Sequence, residues 1–332
     1  MKKYSYLWKN ILVLAIAAVF AAEKLMNDLL KQPDHQQNMK VHATLYDAVH
    51  AQYEEANKRL YLNQKQDTAA FFALVRRLYT VAEAMDSVDT APDAKGRVRP
   101  EYRKAHAESL ARLLPNLYSG GAYHIRKQQW QQAFDFYETY LDCFEQPLFA
   151  EVLSNAQTDD QQKHARQQAA YWALYSAYRM DDPVRTLRHR TLALLEPSKR
   201  AFTLQYVAEA WLALKDDSSY VNTLATGFNE FPRNPYFFPR LIDSYSAKRM
   251  YAEALEITDK ALENCDTCQL YLYAKANLLL ELGRNDEALD YAKRVDSQVL
   301  HEASYTAALA IMNKVAKLNE QRDKAQIKKL CQ

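Results

Sequence analysis

The sequence is poor in glycine and nearly neutral, and both features exclude classes of protein. Only five glycines occur in 332 residues, which argues against sheets joined by tight turns and against glycine-rich loops that cradle phosphate. The formal charge is +2, from 43 basic and 41 acidic residues, so no overall field attracts polyanions and nucleic acid is not an expected partner. Apolar residues make up 48% of the chain, enough for a continuous core. The fold class that remains is all-α.

Cysteine is scarce, and the four cysteines do not form a metal or redox motif. Cys265 and Cys268 have the spacing of a ligand pair, but a zinc site needs four ligands. The other two cysteines, Cys143 and Cys331, are remote in sequence. A thioredoxin-like role would need a βαβ context, which a helical chain lacks. Cys265 and Cys268 could instead close a local disulfide in an oxidising compartment. The sequence therefore predicts no metal and no cofactor.

The sequence also lacks a recognisable catalytic motif. His301 and Glu302 begin like a metalloprotease helix, but Tyr305 stands where the second histidine ligand should be. No nucleophile elbow is present, and no pair of carboxylates has an apolar surround that would indicate acid–base chemistry. We therefore expect a protein that is not an enzyme. An enzyme with its site in the irregular segment 86–100 is the alternative.

What the sequence does contain is a repeat of 34 residues in its second half. At this spacing three apolar positions recur, occupied by Leu204, Phe238 and Leu272, by Ala208, Ile242 and Ala276, and by Trp211, Tyr245 and Leu279. Within each unit the apolar residues follow a helical period twice, with a short polar turn between them. This pattern predicts a helix, a turn and a second helix. Such a pair cannot bury its apolar face alone, so successive pairs are expected to stack.

The last unit, 269–302, carries the fullest set of repeat residues, namely Leu272, Ala276, Gly283, Glu287, Ala288, Leu289 and Tyr291. In this pattern the sequence resembles the tetratricopeptide repeat (TPR) family. The resemblance implies an α-α superhelix, a solenoid of antiparallel helix pairs. The predicted repeats are 114–147, 168–200, 201–234, 235–268 and 269–302, followed by a polar capping helix over 303–332.

The N-terminus has the layout of a secretory signal over residues 1–21. Lysines precede an apolar run over 11–22, and Val19 and Ala21 are small residues at the positions required for a cut before Ala22. As a helix this run would cover roughly 18 Å, less than the roughly 30 Å of a hydrocarbon core. We therefore expect a cleaved signal, a periplasmic mature chain and no membrane span within it. With this leader the chain looks like an exported TPR-family protein of a bacterial envelope. The alternative is an uncleaved segment that anchors the chain to the inner membrane.

Residues 22–113 form an N-terminal helical region with weaker periodicity. The stretch 23–39 is polar, which predicts a loosely packed lead-in. A helical period runs from Leu45 to Val81 and predicts a degenerate TPR-like pair. Residues 86–100 contain Asp, Pro, Gly and Ser without an apolar period, so an irregular loop is expected there.

The resemblance also implies where a ligand would bind. In TPR proteins the concave groove is lined by fixed positions of the first helix of each pair, and here those positions include Phe202, Gln205, Glu209, Tyr236, Asp243, Tyr273, Asn277 and Glu281. Aromatic anchors mixed with carboxylates and amides suit a peptide or protein segment, so the predicted function is a protein-interaction scaffold. The alternative is an exported protein that binds a small molecule or a glycan. Any one of these aromatic residues could instead pack between repeats. The sequence carries no indication of oligomeric state.

Overall fold

The described part of the chain is built from helices. The structure, a computed structural model, describes residues 17–62, 64, 67–93, 95–154, 159–296, 298–320 and 328–329. No strand occurs within these ranges, so the predicted all-α class is confirmed. Across the same ranges, none of the helices has both the length and the hydropathy to cross a bilayer. Residues 1–16 of the predicted signal lie outside the described residues.

Short connections join most of the described helices. Residues 17–30 form α1. The helices that follow are α2 (Met39–Tyr61), α3 (Thr68–Asp89), α4 (Arg103–Ala111), α5 (Leu114–Arg126), α6 (Trp130–Asp142), α7 (Asp160–Arg179), α8 (Pro183–Arg188), α9 (Arg190–Ala193), α10 (Arg200–Ala213), α11 (Asp217–Glu230), α12 (Phe237–Ala247), α13 (Tyr251–Asn264), α14 (Gln269–Glu281), α15 (Asn285–Arg294) and α16 (Glu302–Glu320). Four of the five predicted repeats therefore each contain one helix pair.

The same turn closes α5 onto α6, α7 onto α8, α10 onto α11, α12 onto α13 and α14 onto α15. One residue in each turn has a positive φ of 54° to 71°: Gln128, Asp181, Lys215, Arg249 and Gly283. The next residue donates its N–H to a carbonyl five positions earlier, as Asp216 does to Trp211 at 3.0 Å and Arg284 to Leu279 at 2.9 Å. This is the Schellman arrangement, in which one left-handed residue ends a helix. The last four left-handed residues are 34 positions apart, so the period of the sequence is also a period of the backbone.

The chain divides into two compact units, 1–206 and 207–332, each with its own core. The boundary falls within α10. The fully buried aromatic side chains are Tyr79, Tyr137 and Phe149 in the first unit and Phe237 and Phe238 in the second. Burial of one such phenylalanine side chain contributes roughly 1.5–3 kcal/mol. Stacked helix pairs of this kind give each unit a TPR-like fold.

Close packing within a pair depends on small residues. A Cβ added to Gly121 on α5 would lie only 2.7 Å from the ring of Tyr137 on α6. Ala254 on α13 and Ala288 on α15 are fully buried at corresponding places in their repeats. A larger side chain at these places would hold the two helix axes apart.

The sequence predicts a loosely packed lead-in over residues 23–39. The first of these residues, Glu23, is instead buried. Glu23 lies on α1 and is 8% exposed. Its carboxylate accepts a hydrogen bond from Gln52 on α2 and pairs with Arg77 Nη2 on α3 at 2.5 Å. The prediction is wrong here because these partners lie 29 or more positions away, beyond the reach of a local pattern. A charge in such a place is tolerated because it is both paired and hydrogen-bonded.

Helix α3 continues to Asp89. The irregular segment predicted for 86–100 therefore begins at residue 90, four residues later than predicted. Asp86 accepts hydrogen bonds from Nε and Nη2 of Arg103, both at 2.7 Å. Asp89 accepts from three backbone N–H groups at the start of α4, at 2.9 to 3.2 Å. These N–H groups have no partner within their own helix. The two carboxylates therefore connect the end of α3 to the start of α4.

Helix α7 begins at Asp160, eight residues before the predicted repeat 168–200. Asp159 caps it, because its Oδ1 accepts from the backbone N–H of Gln162 at 2.7 Å. The sequence places the start too late because the first two turns of α7 are polar. The second helix of this pair is also divided, into α8 and α9, at His189. The predicted capping helix 303–332 is described over Glu302–Glu320, which is α16, and again at residues 328–329.

We expect a glycine at a left-handed turn position to stabilise the second unit. Lys215 has φ 59°, a conformation that costs a residue with a side chain more than it costs glycine. Lys215→Gly should raise the free energy of unfolding by roughly 0.5–1 kcal/mol, measured by urea denaturation. Lys260→Gly, at an exposed position inside α13, is the control and should lower it by about 1 kcal/mol. A loss of stability in both variants would contradict the assigned turn.

Candidate functional site

A groove lies between α12 and α14, the first helices of two consecutive pairs in the second unit. It encloses about 340 Å³. Its wall includes Pro239, Asp243 and Ser246 from α12 and Leu270, Tyr273, Asn277 and Glu281 from α14. Spacings of three and four residues place each set on one face of its helix. This α12–α14 groove brings together four of the eight predicted site residues: Asp243, Tyr273, Asn277 and Glu281.

The amide of Asn277 is held in place by a residue that does not line the groove. Thr306 Oγ1 of α16 donates a hydrogen bond to Asn277 Oδ1 at 2.7 Å. A side-chain amide has one carbonyl group and one NH₂ group, so the Nδ2 of Asn277 is left to donate to a ligand. The donor is thus oriented before any ligand arrives, which lowers the cost of binding.

Two carboxylates give the groove a negative edge. Asp243 and Glu281 are both exposed, and neither is in an ion pair with another described residue. The described lining includes no lysine, arginine or histidine. The groove therefore favours a ligand that supplies hydrogen-bond donors or positive charge.

Tyr236 and Glu209, two further predicted site residues, are engaged with one another. The Tyr236 hydroxyl donates to Glu209 Oε1 at 2.7 Å. The guanidinium of Arg240 lies over the Tyr236 ring, 4.0 Å from its centroid. Tyr236 is only 8% exposed, and burial together with the hydrogen bond to Glu209 raises the pKa of its hydroxyl well above the usual range. In this structure Tyr236 packs between α10 and α12, the alternative that the sequence left open for each aromatic residue.

Phe202 and Gln205 belong to the other unit. Phe202 is 52% exposed on α10, and Gln205 is half-buried. Neither lines the α12–α14 groove. Their assignment to a binding surface stays a prediction.

A larger cavity of about 710 Å³ lies in the first unit between α5 and α7, again the first helices of consecutive pairs. Its wall includes Pro115, Tyr118, Tyr140, Phe144, His164 and Gln168. None of these is among the predicted site residues. Pro115 and Tyr118 hold the second and fifth places of repeat 114–147, and Phe202 and Gln205 hold the same places of repeat 201–234. Repeat position was therefore a signal by which part of this α5–α7 cavity could have been found.

The cysteine pair is present as free thiols between α13 and α14. Cys265 ends α13 and Cys268 precedes α14, and the Cys268 N–H donates to the carbonyl of Cys265 at 3.3 Å. Burial raises the pKa of the Cys268 thiol, and the hydrogen bond to Cys265 adds to this. No cluster of three or more His, Cys, Asp or Glu side chains that could bind a metal occurs within the described ranges. The disulfide between Cys265 and Cys268 stays a prediction.

One carboxyl pair contradicts the expectation that no such pair sits in a desolvating environment. Burial raises the pKa of Glu83 on α3 to about 7, and the charge of Asp142 at the end of α6 contributes. The pKa of Asp142 is also raised, by burial first and then by Glu138. Glu83 Oε1 has no hydrogen-bond partner among the described residues. The two residues are 59 positions apart, so no local pattern could have indicated the pair. Neither lines a described cavity, and the pair therefore bears on stability.

We expect stability to fall as pH rises through the interval between the unfolded and folded pKa values of Glu83. Below a pH of about 4.5 the Glu83 carboxyl is protonated in both the folded and the unfolded state. Between this pH and about 7 it is ionised in the unfolded chain and still protonated in the folded one, which favours unfolding. Above about 7 it is ionised in both states, and the loss of stability stops growing. The loss should be roughly 1–2 kcal/mol, because a part-exposed carboxyl keeps some hydration. Urea unfolding at pH 5 and pH 8 measures it. Glu83→Gln should remove this part of the loss, whereas Glu108→Gln, at an exposed position on α4, should leave it unchanged.

Several solved structures resemble this chain, whereas its sequence matches no family model and no curated protein. A tetratricopeptide repeat protein from Parabacteroides merdae is 13% identical, with 86% of this chain and 98% of that chain covered and a TM-score of 0.30. The TPR domain of P58(IPK) is 14% identical, with 98% and 100% covered and a TM-score of 0.28. A Rap protein complexed with competence and sporulation factor is 14% identical, with 92% and 99% covered and a TM-score of 0.27. The TPR-like fold of this chain rests on its own helix pairs and on their turns at 34-residue spacing.

Proposed function

We propose that this protein is a non-enzymatic interaction scaffold and that the α12–α14 groove holds an extended segment of a protein partner. The observation that carries the proposal is the convergence of Asp243, Tyr273, Asn277 and Glu281 on one cavity. These residues lie on α12 and α14, which are neighbours only because the α12–α13 pair stacks on the α14–α15 pair. The groove thus combines an aromatic surface, an oriented amide and two free carboxylates.

The size of the groove suits a segment of a chain better than a compact ligand. A volume of about 340 Å³ is near the lower end of the 300–1,000 Å³ typical of ligand pockets, so it accommodates one or two side chains of a longer molecule. The Nδ2 of Asn277 can donate to a backbone carbonyl of that segment, as peptide-recognition grooves commonly require. Because helix packing forms the groove in advance, little entropy is lost in ordering it.

The proposal can be tested with a random-peptide display library panned against the purified protein. Peptides enriched on the protein would be synthesised and titrated by isothermal calorimetry. Tyr273→Ala and Asn277→Ala should each weaken binding at least tenfold, because one removes an aromatic surface and the other an oriented donor. Tyr305→Ala is the control: Tyr305 is 68% exposed on α16, outside the groove, and its loss should leave affinity unchanged.

Two results would overturn the scaffold proposal. One is a library that yields no peptide whose binding depends on Tyr273 or Asn277 while circular dichroism shows both variants folded. The other is selective retention on a glycan array, abolished by Tyr273→Ala, which would favour the alternative of a glycan-binding protein.

We further propose that the protein acts in the periplasm after removal of residues 1–21. A cut before Ala22 leaves Glu23 on the mature chain, so its contacts with Gln52 and Arg77 would tie down the new N-terminus. Mass spectrometry of protein purified from a Gram-negative host should show a chain that begins at Ala22. An intact Met1 would favour the alternative, an uncleaved anchor in the inner membrane.

A further inference from the structure

The α5–α7 cavity has an apolar wall made of rings and aliphatic side chains. Tyr118, Tyr140 and Phe144 supply the rings, and Leu114 and Leu153 are among the aliphatic residues. The rings of Tyr118 and Tyr140 meet edge to face with centroids 5.9 Å apart, and those of Tyr140 and Phe144 do so at 5.3 Å. The aromatic wall is therefore packed into one rigid surface. The volume of the cavity, about 710 Å³, lies within the range of small-molecule pockets.

A chain of polar contacts fixes one side of this cavity. The Tyr118 hydroxyl donates to Gln168 Oε1 at 3.0 Å, and Gln168 Nε2 lies 2.9 Å from His164 Nε2. His164 Nδ1 lies 3.3 Å from Glu196 Oε2, a carboxylate that is 2% exposed. That contact is close enough for an ion pair but is not aligned as a hydrogen bond. Because the Gln168 amide has two N–H groups, one remains for a ligand.

Positive charge at the cavity is not compensated by any carboxylate in its described wall. Arg112 lines the cavity and is exposed, and its guanidinium has no ion-pair partner among the described residues. The guanidinium of Arg166 lies 4.6 Å from the centroid of the Phe144 ring. Its buried Nε has no hydrogen-bond partner in the described part of the chain. Glu196 is engaged by His164 and by both the N–H and the hydroxyl of Ser198.

We propose that the α5–α7 cavity binds a small organic acid with a hydrocarbon body. The carboxylate pairs with Arg112 and accepts the free N–H of Gln168, while the hydrocarbon lies against the rings of Tyr118, Tyr140 and Phe144. Charge complementarity selects the acid, because the described wall carries the guanidinium of Arg112 and no carboxylate, and the nearby Glu196 is already engaged by His164 and Ser198. Each methylene added to the ligand should tighten binding about fourfold, the equivalent of about 0.8 kcal/mol of apolar burial. This site is separate from the α12–α14 groove and does not depend on the function proposed for that groove.

The test is isothermal calorimetry of the full chain with octanoate, decanoate and octan-1-ol. Decanoate should bind roughly tenfold or more tightly than octanoate, because it buries two further methylenes. Octan-1-ol should bind at least fivefold more weakly than octanoate, because it has no charge to pair with arginine. Arg112→Gln should remove most of the preference for octanoate over octan-1-ol. Arg97→Gln is the matched control, since Arg97 is an exposed arginine paired only with Asp93.

A second variant distinguishes the cavity from non-specific binding to the surface. Ala165 lines the cavity on α7, and Ala165→Phe should fill it and weaken binding of both acids at least tenfold while circular dichroism remains unchanged. Tyr273→Ala, in the other groove, should leave acid binding unaffected. The proposal is wrong if the wild-type protein binds neither acid at millimolar concentration, if octan-1-ol binds as tightly as octanoate, or if a folded Ala165→Phe variant retains full affinity.

Discussion

The left-handed residue that closes five of the described helix pairs, from α5–α6 to α14–α15, is the constraint on which the rest of the structure depends. A single residue of positive φ and one hydrogen bond to a carbonyl five positions earlier reverse the chain within three residues. Reversal brings the second helix back along the first and lets the apolar faces meet. It also places the first helices of consecutive pairs side by side. Both cavities described above lie between such first helices, so the position of each cavity follows from the turn.

Local periodicity was enough to predict the helical class and the helix pairs from residue 201 onward, and it failed where a contact links distant residues. The 34-residue period identified the pairs from 201 onward because identical turns repeat at that spacing. Glycine marks only one of these turns, at Gly283, whereas Lys215 and Arg249 adopt the same left-handed conformation without any compositional sign. The burial of the Glu23 carboxylate could not be predicted, because its partners Gln52 and Arg77 lie on two other helices. The raised pKa of Glu83 could not be predicted, because it depends on the residues that pack around the carboxyl in the folded chain.

The candidate site was predictable to the extent that it follows repeat position. Asp243, Tyr273, Asn277 and Glu281 converge on one groove because first-helix positions share a face. Tyr236 holds a comparable position, yet its ring is buried and its hydroxyl is bound to Glu209; repeat position alone does not distinguish a packed ring from an available one. Part of the α5–α7 cavity escaped prediction for another reason. The connection after α6 contributes Val152 and Leu153, and it belongs to no repeat.

The hydrogen bond from Thr306 to Asn277 makes α16 more than a cover for the end of the second unit. The helix that shields the final pair from solvent also sets the direction in which a groove amide points. If the α12–α14 groove holds a protein segment as proposed, changes in α16 would alter which segments bind while every residue that lines the groove stays the same. Related chains with identical grooves but different last helices would then discriminate differently among partners.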